Sequence, residues 1–405
     1  MIGFWRAWGL VVGMMVGSGV YSLPSALAPY GLLSFWGWAI ALLGALSLVG
    51  CFIQLTRSLP DAGAGGPAAY VLHTLGIWPA RVVAWGYWIS LVVAVAAIAL
   101  SFVGYFSVFV PELALNSVLG PVAALLCIWG FVAISLRGTQ FASSFQLLTS
   151  LLKIVPLVLI GLLGLFAGEV NLMTTSVPQS ESVGSTLAVI LALIMWSYIG
   201  IEAATIPADN VKQPRQTIPR AALIGTLSAT AVYVLAMVGV MSVLPASELA
   251  NSQAPVADAV AIVLGPSAGH WVALGALIAI GGTLNACVFL SGALPSVLAS
   301  HGIFPRAMSQ RKGTAYSAVS LCLAGTIASV LIVLNSAKGL VGAFELMIMI
   351  STYAALIAYL GAALAALKLT VQTSHWRMVN ALQLGNALLA LGFSLAAFVG
   401  AHSIF

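Results

Sequence analysis

The sequence predicts an all-α polytopic membrane protein, and three observations carry that expectation. Apolar residues make up 61% of the 405-residue chain and charged residues only 6%, against roughly 25% charged in an ordinary soluble domain. The mean hydropathy is +1.12. The apolar residues fall in long runs, of the roughly 20 residues that a helix needs to cross a bilayer, parted by polar or Gly/Pro clusters. One transmembrane domain over residues 1–405 follows, with the lipid bilayer as its surroundings. The formal charge of +5 and the pI near 9.1 do not signal nucleic acid, because the Lys and Arg residues stand singly between apolar runs.

In order along the chain, the expected spans lie near 7–28, 32–55, 78–109, 118–136, 145–167, 185–207, 220–244, 268–299, 316–334, 340–367 and 379–401, about eleven helices. The first could be misread as a signal peptide, since Arg6 precedes an apolar run ending Ala26-Leu27-Ala28. Its length and the many hydrophobic segments after it argue for a first span. The loop 58–77, with Pro60, Gly63, Gly65, Gly66 and Pro67, is too broken to be another span, and residues 255–264 are too short to cross and read as a surface helix. Lys and Arg collect in cytoplasmic loops. With the N-terminus inside, Arg6, Arg57, Arg81, Arg137, Lys212, Arg215, Arg220, Arg306, Arg311, Lys312, Lys368 and Arg377 all fall on that side, which leaves Lys338 outside and Lys153 within a span. Glu112, Glu169, Glu181, Glu248 and Asp258 fall outside with the terminus Ser403-Ile404-Phe405. Such a chain is expected in a membrane with its N-terminus on the cytoplasmic side.

Two spans are interrupted. The first carries Met14-Met15-Val16-Gly17-Ser18-Gly19-Val20-Tyr21-Ser22-Leu23-Pro24. A helix in lipid must satisfy its own backbone, so such a break is tolerated only where the freed groups face protein or a water-filled cavity. Amides at a helix N-terminus attract anions and unwound carbonyls attract cations, so a broken helix can hold both ends of an amino acid. The competing reading is a close helix contact through small residues. The sixth span repeats the peculiarity, with Ser197 and Gly200 at mid-depth and Glu202 beside them. Interrupted segments five spans apart point to a transporter of two inverted repeats, about 7–168 and 185–368, with an extra helix at about 379–401.

Other chemistries are poorly supported. Cys51, Cys127, Cys287 and Cys322 lie in apolar runs with no CxxC pair, against a disulfide framework or zinc. His73, His270, His301, His375 and His402 show no metal-binding spacing, so neither metal nor cofactor is expected. There is no cluster of nucleophile and base, nor of paired carboxylates, to suggest an enzyme. No G-x-x-x-x-G-K-[ST] is present to suggest ATP-driven pumping.

The stretch Met15 to Pro24, Gly65-Gly66-Pro67-Ala68-Ala69-Tyr70, Trp196 to Glu202, Asn210 to Ala221, Leu249 to Pro255 and Gly302-Ile303-Phe304-Pro305 together resemble the amino acid-polyamine-organocation superfamily. The likeness is to the branch of bacterial arginine/agmatine and putrescine/ornithine antiporters. It implies a LeuT-type fold of ten core helices with an amino acid bound at mid-membrane between spans 1 and 6. Carried over, carboxylate-binding amides fall on Gly17, Ser18 and Gly19, and ammonium-binding carbonyls on Met15, Trp196 and Ile199, beside Ser197. Trp196 matches an aromatic that closes over substrate, its bland alternative being an interfacial tryptophan. Glu202 matches a proton-sensing glutamate, the alternative being a structural hydrogen bond between helices.

The departures shape the substrate expectation. By the family's spacing, Val95 and Cys287 stand where an asparagine and a tryptophan hold a long cationic side chain. A pocket edged by Val95, Ile98 and Cys287 suits a neutral amino acid, because an unpaired buried cation is costly. The alternative substrate class is a basic amino acid or polyamine. Lys153, about sixteen residues beyond Arg137, lies too deep to reach the interface easily and resembles a tethered cation that replaces sodium between spans 1 and 8. A lysine near the inner interface is its alternative. Sodium-independent transport follows, with the proton as candidate coupling ion if Lys153 or Glu202 exchanges one, or obligate exchange if the charge on Lys153 is permanent. The family's usual twelfth helix is missing, which leaves the oligomeric state open.

Overall fold

The computed structural model describes residues 3–59, 65–136, 140–167, 182–205, 211–309, 317–372 and 378–402, with backbone alone for 140–152, 378–380 and 402. Pro60, Gly63, Arg137, Glu169, Glu181, Asn210, Arg311, Lys312, His375, Arg377 and Ser403–Phe405, used above, lie outside the described residues. Every regular element among those described is helical. The first apolar run is two helices, α1 (Phe4–Met15) and α2 (Ser18–Leu27), followed by α3 (Leu33–Ser58) and the short α4 (Pro67–Leu75). Next come α5 (Ile77–Phe106), the one-turn α6 (Glu112–Leu115), α7 (Leu119–Leu136), α8 (Gln140–Ala167) and α9 (Val183–Tyr198). The second half holds α10 (Pro214–Val243), α11 (Ala246–Leu249), α12 (Pro255–Leu264), α13 (Pro266–Ala299), α14 (Ala318–Leu334), α15 (Gly339–Gln372) and α16 (Met378–His402).

Eight of the described segments are long and apolar enough to cross a membrane, the first being the broken α1–α2 run. The shorter apolar stretches Lys153–Phe166, Val183–Tyr198 and Ala318–Leu334 occupy the places expected of three further spans.

α5 is the axis of the bundle. It packs against α15, α13, α7 and α14, and it buries side chains all round its circumference. α8 and α10 approach through glycines: a Cβ on Gly239 would lie 2.7 Å from the Gly161 Cα, and Gly164 meets the Gly239 backbone. Small residues serve this purpose between membrane helices, where close packing drives association because lipid is as apolar as the side chains.

α12 is not a surface helix. Pro255, Val256, Ala257, Ala259 and Val260 are buried, with only its far face, at Ile262 and Leu264, exposed. Two local features turn it inward. Gly265, at φ +90°, makes the reversal into α13, and Gly269 lets the two helices close, since a Cβ there would be 2.9 Å from the Ala257 carbonyl.

α16 lies across α3, α9 and α15. Phe393 covers Gly44, the Asn386 carboxamide donates to the Ser47 carbonyl at 2.9 Å, and Gly400 rests on the Ala188 backbone. Phe398 stacks on Tyr353 with ring centres 4.1 Å apart.

Candidate substrate site

Both expected breaks are present, and they touch. α1 stops at Met15 and α2 starts at Ser18, with Val16 and Gly17 between them. Gly17 is required by contact: a Cβ there would sit 2.6 Å from the Thr283 hydroxyl on α13. α9 ends at Tyr198, and Gly200 follows at φ +118°, a conformation that favours glycine. A Cβ on Gly200 would lie 2.8 Å from the Met14 Cβ, so one break is packed into the other. The N-terminus of α2 has no side-chain cap, which leaves its first amides available, as at any uncapped helix start.

A small cavity of about 30 Å³ opens at this junction. Met14, Met15, Gly17, Ser18 and Gly19 line it from the first break, and Trp196 and Ile199 from the second. Thr283 and Cys287, one turn apart on α13, form another side. The α5 wall is Ser90, Leu91, Ala94 and Ile98, a single helical face. Val95, expected on the wall, is buried but is not among the lining residues; it follows Ala94 by one position, about 100° around the helix. Ser197 is likewise behind the wall. Its hydroxyl is buried without a hydrogen-bond partner, 2.9 Å from where a Gly19 Cβ would be. None of the lining residues carries a carboxylate.

Lys153 reaches the junction from α8 and is fully buried. Its Nζ donates to the Gly13 carbonyl at 2.9 Å and to the Thr283 hydroxyl at 2.8 Å. Gly13 belongs to the last turn of α1, whose carbonyls lack helix partners, so the lysine satisfies one of them while joining α1, α8 and α13. Tyr21 reinforces the joint by donating to the Lys153 carbonyl at 2.8 Å, and Tyr105 donates to the Tyr21 carbonyl at 2.6 Å.

Glu202 sits just past the second break, fully buried and off the cavity. Tyr87 of α5 donates to its Oε1, Tyr359 of α15 to its Oε2 at 2.8 Å, and the Gly200 amide to Oε2 at 3.4 Å. These bonds tie the second break to two long helices. Beyond the first break, Ser22 and Ser101 hydroxyls pair at 2.6 Å and Ser25 donates to the Ser252 carbonyl at 2.9 Å. Sequence reasoning missed Thr283, Ser90, Leu91, Ala94 and both tyrosines. Only Thr283 left a usable trace, standing one turn before Cys287.

Two broken helices that meet at a cavity inside a multi-pass membrane bundle define a transporter rather than an enzyme. The chain belongs to the amino acid permease family, whose model matches residues 2–405. It is 28% identical over 346 residues to the cadaverine/lysine antiporter of Escherichia coli K12, covering 84% of this chain and 76% of that one. It is 30% identical over 344 residues to the arginine/ornithine antiporter of Pseudomonas aeruginosa, covering 80% and 69%. Among solved structures, MhsT in complex with L-phenylalanine matches with a TM-score of 0.62 at 14% identity, over 98% of both chains. That likeness establishes the LeuT-type fold.

Proposed function

We propose that this protein is a sodium-independent secondary transporter that exchanges basic amino acids and their decarboxylated amines by alternating access. The observation that carries the transport reading is the Lys153 ammonium at the junction of α1, α8 and α13, where it does by hydrogen bonds what a bound cation would do. The relatives support the basic substrate class, since cadaverine, lysine, arginine and ornithine are what their names specify. They favour it over the neutral class that Val95 and Cys287 suggest. A cation needs no carboxylate here if carbonyl dipoles, hydroxyls and the face of Trp196 receive it. In this reading the amides of Gly17, Ser18 and Gly19 take the carboxylate, the carbonyls of Met15, Trp196 and Ile199 take the α-ammonium, and Glu202 is the proton-coupling group.

The apolar wall of Leu91, Ala94, Ile98 and Cys287 favours a second reading, a neutral amino acid. In both, the N-terminus faces the cytoplasm of a bacterial inner membrane and one helix bundle rocks against the other. Purified protein in sodium-free liposomes loaded with lysine should take up labelled lysine, ornithine or cadaverine. Uptake of leucine or phenylalanine alone would select the second reading, and no uptake of any amino acid or polyamine would refute both.

A further inference from the structure

The α5 wall of the cavity ends in a serine whose hydrogen-bond sense is fixed from behind. Ser90 lines the cavity and is buried. Its hydroxyl lies 3.0 Å from that of Ser351 on α15, and the Ser351 hydroxyl is also 2.8 Å from the Ser90 main-chain carbonyl. A hydroxyl has one proton and two lone pairs, whereas a carbonyl only accepts. Ser351 must therefore be the donor to the carbonyl, and its single proton is spent there. Between the two hydroxyls Ser90 then donates and Ser351 accepts. What Ser90 has left for the cavity is lone pairs alone.

The position of Ser90 suits one kind of group. Ser22 of α2 meets Ser101 of α5, and Ser25 shares a second cavity with Ser101 and Gly104, so α2 and α5 run in the same direction. One turn back on each lie Ser18 and the stretch at Ile98. Ser90 is eight residues further down α5, about 12 Å of helix. The anion-attracting start of α2 and the Ser90 acceptor thus stand at opposite ends of the wall. Thr283 is less suited, because its proton goes to the Ala279 carbonyl at 3.2 Å and one of its two lone pairs already accepts from the Lys153 ammonium, whose charge repels a second cation.

We propose that Ser90 is a specificity-determining residue that accepts a hydrogen bond from the distal ammonium or guanidinium of a basic substrate, and that Ser351 is the positioning residue that holds it in the accepting sense. The inference rests on the basic-substrate reading and deepens it by naming the group that reads the cation. A carboxylate-tipped side chain would meet lone pairs with lone pairs and be rejected.

The test is displacement of labelled substrate from the reconstituted protein by lysine and by norleucine, the same chain without its terminal amine. Hydrogen bonds to charged groups are strong enough that Ser90→Ala should lower the lysine-over-norleucine preference roughly ten- to hundredfold, and Ser90→Thr should restore most of it. Ser351→Ala frees the Ser90 hydroxyl to turn. It should lower the same ratio and raise the affinity of methionine sulfoxide, whose tip only accepts, relative to norleucine. A merely structural role would weaken all competitors together, and that result, or an unchanged ratio in Ser90→Ala, overturns the assignment. Wild-type protein that exchanges leucine but no basic amino acid or diamine refutes the substrate reading itself, and the assignment with it, before any variant is compared.

Discussion

Replacing Lys153 by methionine keeps an apolar stem of similar length and deletes the head group that joins α1 to α13. Two hydrogen bonds from the ammonium are lost, each worth about 1.5–3 kcal/mol for a charged partner. Thr283 keeps the Ala279 carbonyl, so the Gly13 carbonyl alone is stripped of its partner. Against this, the variant no longer buries an ammonium, a penalty of several kcal/mol on the same order. The terms largely cancel in overall stability, and detergent-solubilised Lys153→Met should unfold near the wild-type temperature. They do not cancel in transport. The lysine can keep only one of its two bonds once α1 and α13 part, so in the wild type the other favours the closed junction by about 1.5–3 kcal/mol, and losing it shifts the balance between conformers roughly ten- to hundredfold. Sodium-free exchange in liposomes should slow by about that factor in Lys153→Met and Lys153→Ala, and added sodium should not rescue it. Wild-type exchange by the alanine variant without sodium would show that the lysine merely anchors its helix, and the coupling role assigned to it would fall.

Three further perturbations address other parts of the site. Gly19→Val places a Cβ 2.9 Å from the Ser197 hydroxyl and 3.2 Å from Trp196 and fills the cavity beside the α2 amides; equilibrium binding should weaken at least roughly tenfold, on the scale of a lost charge-assisted contact, with monodisperse elution retained, and wild-type affinity would refute the carboxylate site. Glu202→Gln leaves Tyr87 or Tyr359 facing an amide donor, a cost of about 1–3 kcal/mol; exchange should slow and lose its response to a pH gradient, whereas an unchanged pH profile would exclude Glu202 as the coupling group. Gly239→Leu forces α8 and α10 apart at Gly161 and should lower the unfolding temperature and the yield of folded protein while Gly130→Leu, at a position where a Cβ meets nothing, does not; equal effects would show that the glycine contact is incidental.

The features legible in the sequence are those that violate the local rules of a membrane helix. Gly17, Ser18, Gly19 and Gly200 interrupt apolar runs, and Lys153 and Glu202 are ionisable where lipid tolerates none without a partner. Each could be picked out without knowing what it touches. The α5 wall could not. That helix is apolar on every side, so its pattern carries no phase, and matching by spacing landed on Val95 where the cavity is lined by Ala94. Tyr87 and Tyr359 were hidden for a related reason: a tyrosine in an apolar run looks like any other aromatic until its hydroxyl finds a carboxylate. The burial of α12 was equally invisible, because it depends on Gly269 and on the Tyr105 hydroxyl that receives the Val256 amide at 3.3 Å, contacts distant or ambiguous in sequence. The neutral substrate class is read from two missing partners, whereas the names of the relatives favour the basic class.

Under the alternating access proposed above, the clasp that α16 makes across α3, α9 and α15 limits where the protein can split. A machine that opens first at one end and then at the other needs a seam, and no seam can run between elements held by one strap. With Phe393 over Gly44, Asn386 on Ser47 and Gly400 on Ala188, α3 and α9 have to travel as a single piece. In the proposed cycle the expected parting line runs through contacts such as Ser22 with Ser101 and Ser25 with the Ser252 carbonyl. Such bonds exchange readily for water once an aqueous path reaches them.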